Sequence, residues 1–203
     1  HTLFPHRPYK FLPSGKRYNF TEWPNFRMRV DSSVMDSVRY SEQRMQAHVL
    51  QLAYADVMLG KFMAKLRDNP VYDESIIVIV ADHGIVFSPD TYFRKVSKET
   101  MGAIGFVPLF IKYPGQTEGM TDRTNVQTID IVPTILDVLG ADPAPQVDGR
   151  SLIDRQAIIP KTKRIMNEDG GVLEMSLGDS VASLRREIEL YVKVLAIDNT
   201  KST

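Results

Sequence analysis

Cysteine is absent from the 203-residue chain, which excludes disulfides, thiolate metal sites and any cysteine-derived nucleophile within these residues. The absence chooses no redox compartment, because it fits either side of a membrane. Neither sign of charge predominates: 25 Lys plus Arg stand against 25 Asp plus Glu. The basic surplus usual in nucleic-acid binders is missing, so no nucleic-acid partner is expected. No apolar run approaches the roughly 20 residues of a membrane span. A signal peptide is also lacking, and the chain starts at His1 rather than Met. It is therefore expected to be part of a longer protein, with any targeting segment or membrane anchor outside it. What is present is a 43% hydrophobic composition, enough for one large domain or one with a small appendage.

The most informative stretch is Ser75 to Gly84. Ile76 to Ala81 are six apolar, mostly β-branched residues, a run that cannot keep one face in water and reads as a strand covered on both sides. It stops at Asp82 and His83, two metal-competent side chains, followed by Gly84, which allows a turn. Ligands of open α/β sheets gather beyond the carboxyl ends of strands. Asp82 and His83 are thus candidate ligands of a divalent cation.

Around this strand the pattern alternates. Residues 1–25 are rich in proline, aromatic and basic side chains. Pro5, Pro8 and Pro13 exclude a continuous helix, and an ordered loop is expected because Leu3, Phe4, Tyr9, Phe11 and Trp23 need burial. His6, between prolines, suits either a site or a linker surface. Ser37 to Arg67 reads as an amphipathic helix with Met45, Val49, Leu52, Ala53, Val57, Phe62, Met63 and Leu66 on its apolar face, ended before Pro70. His48 on that helix is expected to be packed or solvated rather than a ligand. Helix, short turn and buried strand make half of a β-α-β crossover. Past Gly84, a loop through Ser88-Pro89-Asp90 carries Arg94 and Lys95, candidate anion-binding cations or a solvated face. Met101 to Ile104 continues as a short helix and Phe106 to Tyr113 as a second buried strand, closed by the Pro114-Gly115 turn.

Val126 to Leu139 reads as a helix starting at a Thr128 cap or at Pro133, and closed by Gly140. Asp130 serves equally as a cap or as a carboxylate behind a metal site. Residues 147–152 form a turn with a short extended piece. Two short strands, Ile165-Met166 and Val172 to Leu177, flank a Gly170-Gly171 turn. Leu184 to Leu195 fits a helix, or a strand around Tyr191 to Ile197. No chemistry is visible in this tail.

Taken together, five motifs resemble the sulfatase branch of the alkaline phosphatase-like superfamily, over roughly His6 to Leu152. They are His6-Arg7-Pro8-Tyr9, Ala81-Asp82-His83-Gly84 after the Tyr54-Ala55-Asp56 helix, Val107-Pro108-Leu109-Phe110-Ile111 with Pro114-Gly115, Thr128 to Leu136, and Asp148-Gly149-Arg150-Ser151-Leu152. Each is weak alone; their shared order carries the resemblance.

The resemblance implies an α/β fold, a three-layer α/β/α sandwich with a mainly parallel central sheet. Residues 1–155 would be the C-terminal part of that domain, and residues 156–203 an extension packing on it. It implies a metal-dependent sulfuric-ester hydrolase, with a phosphoglycerol- or phosphoethanolamine-type transferase or phosphoesterase as the alternative. By this analogy Asp82 and His83 hold a divalent cation (Ca, Mg, Mn or Zn). His6 contacts the transferred group's oxygens or protonates the leaving alkoxide, and Arg94 or Lys95 binds the anion. The family's nucleophile, a formylglycine from Ser or Cys or else a Thr, precedes the His-x-Pro loop with further acidic ligands, and no such segment precedes His6 here. The chain is therefore expected to depend on an upstream half of the same domain and to turn over little substrate alone. An extracytoplasmic, membrane-anchored setting is implied in the same way. Two rival readings remain: a non-catalytic sulfatase-like interaction domain, and an α/β domain whose Asp82-His83 is a turn motif.

Overall fold

The computed structural model describes residues 5–17, 38–89, 91–141, 146–154, 156–167 and 169–199. The expected burial of Leu3, Phe4 and Trp23 lies outside these residues. The chain divides into two compact units. One takes in the described residues of His1–Tyr72, Val86–Phe93 and Val192–Thr203, the other those of Asp73–Ile85 and Arg94–Tyr191.

The first unit is built on helix α1, Val38–Arg67. Ala, Met, Leu, Gln, Arg and Lys dominate its sequence, all strong helix formers, and Lys65 and Arg67 complement the dipole in its last turn. Pro70 ends it, and Asn69 Oδ1 accepts the Val71 amide at 3.0 Å to start the short helix α2, Val71–Glu74. The buried stripe of α1 differs from the expected apolar face. Ser41, Arg44, Met45, Ala47 and Gln51 are buried, whereas Val49, Leu52, Val57 and Phe62 are exposed. Among the described residues of this unit, loop segments meet α1. Phe11 stacks on Tyr54 with centroids 5.1 Å apart. His48 lies edge-on to Tyr9 at 5.6 Å and tilted to Phe87 at 5.3 Å. Residues 5–17 form the ordered loop expected of them, with a tight reversal in which Leu12 donates to Lys16 O and Gly15 to Leu12 O.

In the second unit, strand β1 is Ile77–Val80 and strand β2 is Leu109–Lys112. They pair antiparallel, Ile77 opposite Lys112 and Val80 opposite Leu109. The sequence reading places a parallel neighbour here and cover on both faces. Instead the described residues form a two-stranded ribbon whose Val80 and Phe110 are 40% and 64% exposed. β-branched runs read as fully buried only when both sheet faces are covered, and among the described residues no third strand joins this ribbon. Such a ribbon is marginal by itself, and backbone pins hold its end. Lys112 Nζ donates to the carbonyls of Asp73 (2.9 Å) and Ser75 (3.2 Å), and Gly115 N donates to Asp73 O at 2.7 Å.

Between the strands lies helix α3, Met101–Gly105. After β2, a 3-10 turn at Thr128–Asp130 leads into helix α4, Ile131–Val138, so the helix starts between the two expected positions, with Pro133 tolerated in its first turn. Gly140, at φ 64°, closes it, with Ala141 N donating to Leu136 O at 3.0 Å. Asp130 resolves as a cap: its carboxylate is buried, Oδ2 accepting the Gln127 amide at 2.9 Å and Oδ1 the Arg150 amide at 3.0 Å. The Asp148 to Leu152 segment is thereby strapped to α4, since Ser151 Oγ donates to Asp137 at 2.6 Å and Leu152 N to Thr134 Oγ1 at 2.9 Å. Strands β3, Thr162–Met166, and β4, Val172–Ser176, form an antiparallel hairpin closed at Asn167 and Gly171. Helix α5, Leu177–Asn199, settles the tail as helix. Ser176 caps it, its Oγ accepting the Asp179 amide at 3.1 Å. Among the described residues no helix is long and apolar enough to cross a membrane.

Candidate metal-binding turn

Strand β1 delivers its carboxyl end directly to Asp82 and His83. The Asp82 carboxylate turns back on the chain, Oδ1 accepting the His83 amide at 3.0 Å. The His83 ring is fixed by its own neighbour: Nδ1 donates to the Gly84 carbonyl at 2.7 Å. With its proton on Nδ1, the neutral imidazole keeps its lone pair on Nε2. That nitrogen lies 3.9 Å from Asp82 Oδ2, with the two side chains 36% and 69% exposed. Two ligands bonded to one cation at about 2.0–2.5 Å can stand that far apart. The donor set, one carboxylate and one imidazole oriented through its other nitrogen, is that of a borderline or hard divalent cation. It is also incomplete: among the described residues no three His, Cys, Asp or Glu side chains are placed to hold a metal together. The turn fits two positions of a coordination shell.

Gly84 fixes the turn in place. Its amide donates to Ile104 O at 2.9 Å, and a Cβ here would lie 1.8 Å from Ala103 O. Glycine is required by that close backbone approach, which the sequence reading assigns only to turning.

The other expected site residues are distributed as follows. Arg94 and Lys95 belong to the second unit with Asp82 and His83, and His6 belongs to the first. Lys95 is exposed, and its carbonyl accepts the Thr100 hydroxyl at 2.5 Å. Ser97 donates to the Glu99 carboxylate and, with the Glu99 amide and a smaller contribution from Lys95, lowers that group from its ordinary value. His6 is exposed, with Nδ1 against the carbonyl of Arg7. Its own carbonyl accepts Gln51 Nε2 at 2.8 Å, and Gln51 Oε1 accepts the amides of Lys10 (2.6 Å) and Phe11 (3.3 Å). This fully buried glutamine staples the His6 loop to α1. Gln51 is not among the α1 residues that the sequence places on the buried face. The available signal is its phase: residues 41, 44, 48 and 51 share one stripe.

That stripe holds a buried polar cluster. Burial pushes the His48 imidazole below its ordinary value, the Pro5 carbonyl opposing. Burial also pushes the Tyr9 phenol up, with Arg44 and Arg7 working against it. His48 is packed, as its sequence context suggests.

Comparisons with known proteins place these features in a family. The family model for Sulfatase matches residues 1–141. Arylsulfatase K of Danio rerio is 35% identical over 101 residues, covering 50% of this chain and 19% of that protein. Lipoteichoic acid synthase of Staphylococcus saprophyticus is 29% identical over 131 residues, 62% of this chain and 19% of that protein. The multifunctional alkaline phosphatase superfamily protein PehA of Trinickia caryophylli is 33% identical over 101 residues, 48% of this chain and 19% of that protein. The matched part thus spans about a fifth of each relative's length. With more than half its residues under the family model, and with Asp82-His83-Gly84 at the end of β1, the chain belongs to the Sulfatase family, whose fold is α/β.

Proposed function

We propose that this chain carries part of the active site of a metal-dependent sulfuric-ester hydrolase. The observation that supports it most is the Asp82-His83 turn, where a carboxylate oxygen and an imidazole lone pair stand 3.9 Å apart at a strand's carboxyl end. In this reading Asp82 Oδ2 and His83 Nε2 hold a divalent cation, one of Ca, Mg, Mn or Zn. When bound, such a cation polarises the ester and lowers a nucleophile's pKa. His6 contacts the transferred group's oxygens or protonates the departing alkoxide through Nε2–H, which takes the imidazolium form because its Nδ1 proton is engaged by the Arg7 carbonyl. Arg94 and Lys95 offer positive charge to the ester's anionic oxygens. The nucleophile and remaining ligands come from an upstream half of the domain, which would also complete a three-layer sandwich over the exposed faces of β1 and β2. Residues 1–155 are then the sulfatase-like part and 156–203 an extension packing on it. An extracytoplasmic protein with a membrane anchor outside this chain belongs to the same reading.

The test is the metal content of the purified chain against Asp82→Ala after dialysis with mixed Ca, Mg, Mn and Zn. Stoichiometric metal that disappears in the variant supports the turn as a binding site; equal metal in both refutes it. Metal in neither protein calls for repeating the measurement with the upstream segment restored, where continued absence also refutes it. Robust ester hydrolysis by the 203-residue chain alone, dependent on Asp82, contradicts the shared-site reading.

A phosphate ester is the second reading. The lipoteichoic acid synthase match reaches 62% of this chain against 50% for arylsulfatase K, at lower identity. Comparing p-nitrophenyl sulfate with phosphate mono- and diesters, using the longer protein, separates the two.

A further inference from the structure

Helix α5 lies wholly beyond the residues matched by the family model, which stop at 141, yet its side chains reach the backbone that orients His83. Ser183 is fully buried. Its Oγ accepts the Gly102 amide at 2.9 Å and donates to Glu99 O at 3.0 Å. These groups sit at the start of α3, where helix amides have no acceptor of their own. Thr100, the residue at the N-cap position, makes no side-chain cap bond. The capping hydroxyl therefore comes from another helix. The contact has no slack: a Cβ on Gly102 would lie 2.3 Å from Leu184 N and 2.4 Å from the Ser183 carbonyl carbon.

The far end of α3 meets the turn. Ala103 O and Ile104 O are the two groups against which Gly84 is seated, and Gly84 O is the acceptor that holds His83 Nδ1. A second strut runs from the same helix. The Tyr191 hydroxyl donates to Ile85 O at 3.4 Å, eight residues and so about 12 Å along α5 from Ser183. The helix thus touches the turn's support at two points, on α3 and immediately after Gly84.

We propose that Ser183 is a positioning residue for the Asp82-His83 pair, acting through α3 and Gly84, with Tyr191 as a second strut. In its bearing on metal this rests on the reading of Asp82 and His83 given above. Rigid seating of Gly84 O selects the Nδ1–H tautomer of His83 and leaves Nε2 available beside Asp82. Loosening α3 frees the carbonyl, and the ring then samples both tautomers. Groups that orient a ligand through its second nitrogen commonly change metal affinity about 10- to 100-fold.

Two readouts test it on the 203-residue chain: the ¹⁵N tautomer pattern of His83 at one fixed alkaline pH, and Mn²⁺ affinity with the metal alone. Wild type is expected to show a single Nδ1–H form. Ser183→Ala is expected to show mixed tautomers and about tenfold weaker Mn²⁺ binding, and Tyr191→Phe a smaller change of the same sign. Ser180→Ala is the control. That serine is also fully buried on α5, but its hydroxyl donates to Ser176 O at 2.8 Å, within the helix's own first turn. It should lose comparable stability while leaving both readouts within about twofold, inside the scatter of neutral changes. Unchanged His83 signals in both Ser183→Ala and Tyr191→Phe overturn the proposal, as do equal changes in Ser180→Ala. Should Ser183→Ala not fold, Tyr191→Phe decides alone. If wild type binds no Mn²⁺ while the tautomer still responds to Ser183, the positioning role stands and the metal reading passes to the measurement with the upstream segment restored.

Discussion

Replacing Gly84 by alanine is the most direct probe of how the Asp82-His83 turn is seated. The new Cβ would lie 1.8 Å from Ala103 O, 2.9 Å from that residue's carbonyl carbon and 3.2 Å from Ile104 Cα. All three neighbours are backbone, so no rotamer change relieves the clash. Carbon and carbonyl oxygen approach comfortably to about 3.3 Å, which requires the turn and α3 to separate by roughly 1.5 Å along that contact. Such a shift breaks the 2.9 Å bond from Gly84 N to Ile104 O. Overpacking of this kind costs about 1–3 kcal/mol, and the lost hydrogen bond about 1 kcal/mol more. A total near 3 kcal/mol, at about 2–4 °C per kcal/mol for a chain of this size, predicts a thermal midpoint about 10 °C lower. Circular dichroism melting measures it. Gly60→Ala supplies the comparison, since that exposed helical position has nothing within 4 Å of an added Cβ. There alanine should stabilise by about 0.5–1 kcal/mol. A Gly84→Ala melt within about 2 °C of wild type, a shift worth only about 1 kcal/mol, refutes the close approach.

Two further predictions concern the first unit. Gln51→Leu removes the amide that satisfies His6 O and the Lys10 and Phe11 amides; at about 1 kcal/mol per bond, a loss of about 2–3 kcal/mol is expected in urea unfolding, with faster proteolysis of residues 6–11. His48 is protonated less readily in the fold than in the unfolded chain, because burial lowers it from 6.5. Below pH 6.5 the unfolded state therefore takes up the proton first, and stability falls with decreasing pH until the lowered folded-state value is passed. His48→Gln should flatten that part of the stability-against-pH curve, and an unchanged slope refutes the assignment.

The elements most legible in the sequence were those whose own residues decide them. Pro70 had to end α1, Gly140 had to close α4, and Gly170-Gly171 had to turn between β3 and β4, because each is a local backbone constraint. Asp82-His83-Gly84 was legible for the same reason, as polar residues ending an apolar run. Pairing direction was not local. The residues of β1 and β2 are compatible with either orientation, and the structure makes them antiparallel. Hydrophobicity alone is a poor guide to the buried face of α1. The loops that pack there present backbone groups and aromatic edges, so Ser41, Arg44 and Gln51 go inside while Leu52 and Phe62 stay out. Asp130 left two readings open, since a cap and a carboxylate behind a metal look alike until the Gln127 and Arg150 amides are seen to take both oxygens.

The support of the turn was the least legible feature, and the reason is chemical. A catalytic or ligating role leaves a distinctive side chain in the sequence; a role as backbone support leaves glycine and serine, the commonest residues of any loop or helix. Gly84 and Gly102 matter for the Cβ they lack, and Ser183 for one hydroxyl directed at a neighbouring helix end. Nothing in the tail's composition separates that serine from Ser180, one turn earlier and equally buried. Their difference lies in partners: one bonds within its own helix, the other crosses to α3. A ribbon of two short strands with exposed outer residues is marginal by itself. For the proposed ligand pair, rigidity within this chain would come from the elements pinned against the backbone of Asp82 and His83. In this chain those are α3 and, through Ser183 and Tyr191, the helix that the family match does not reach.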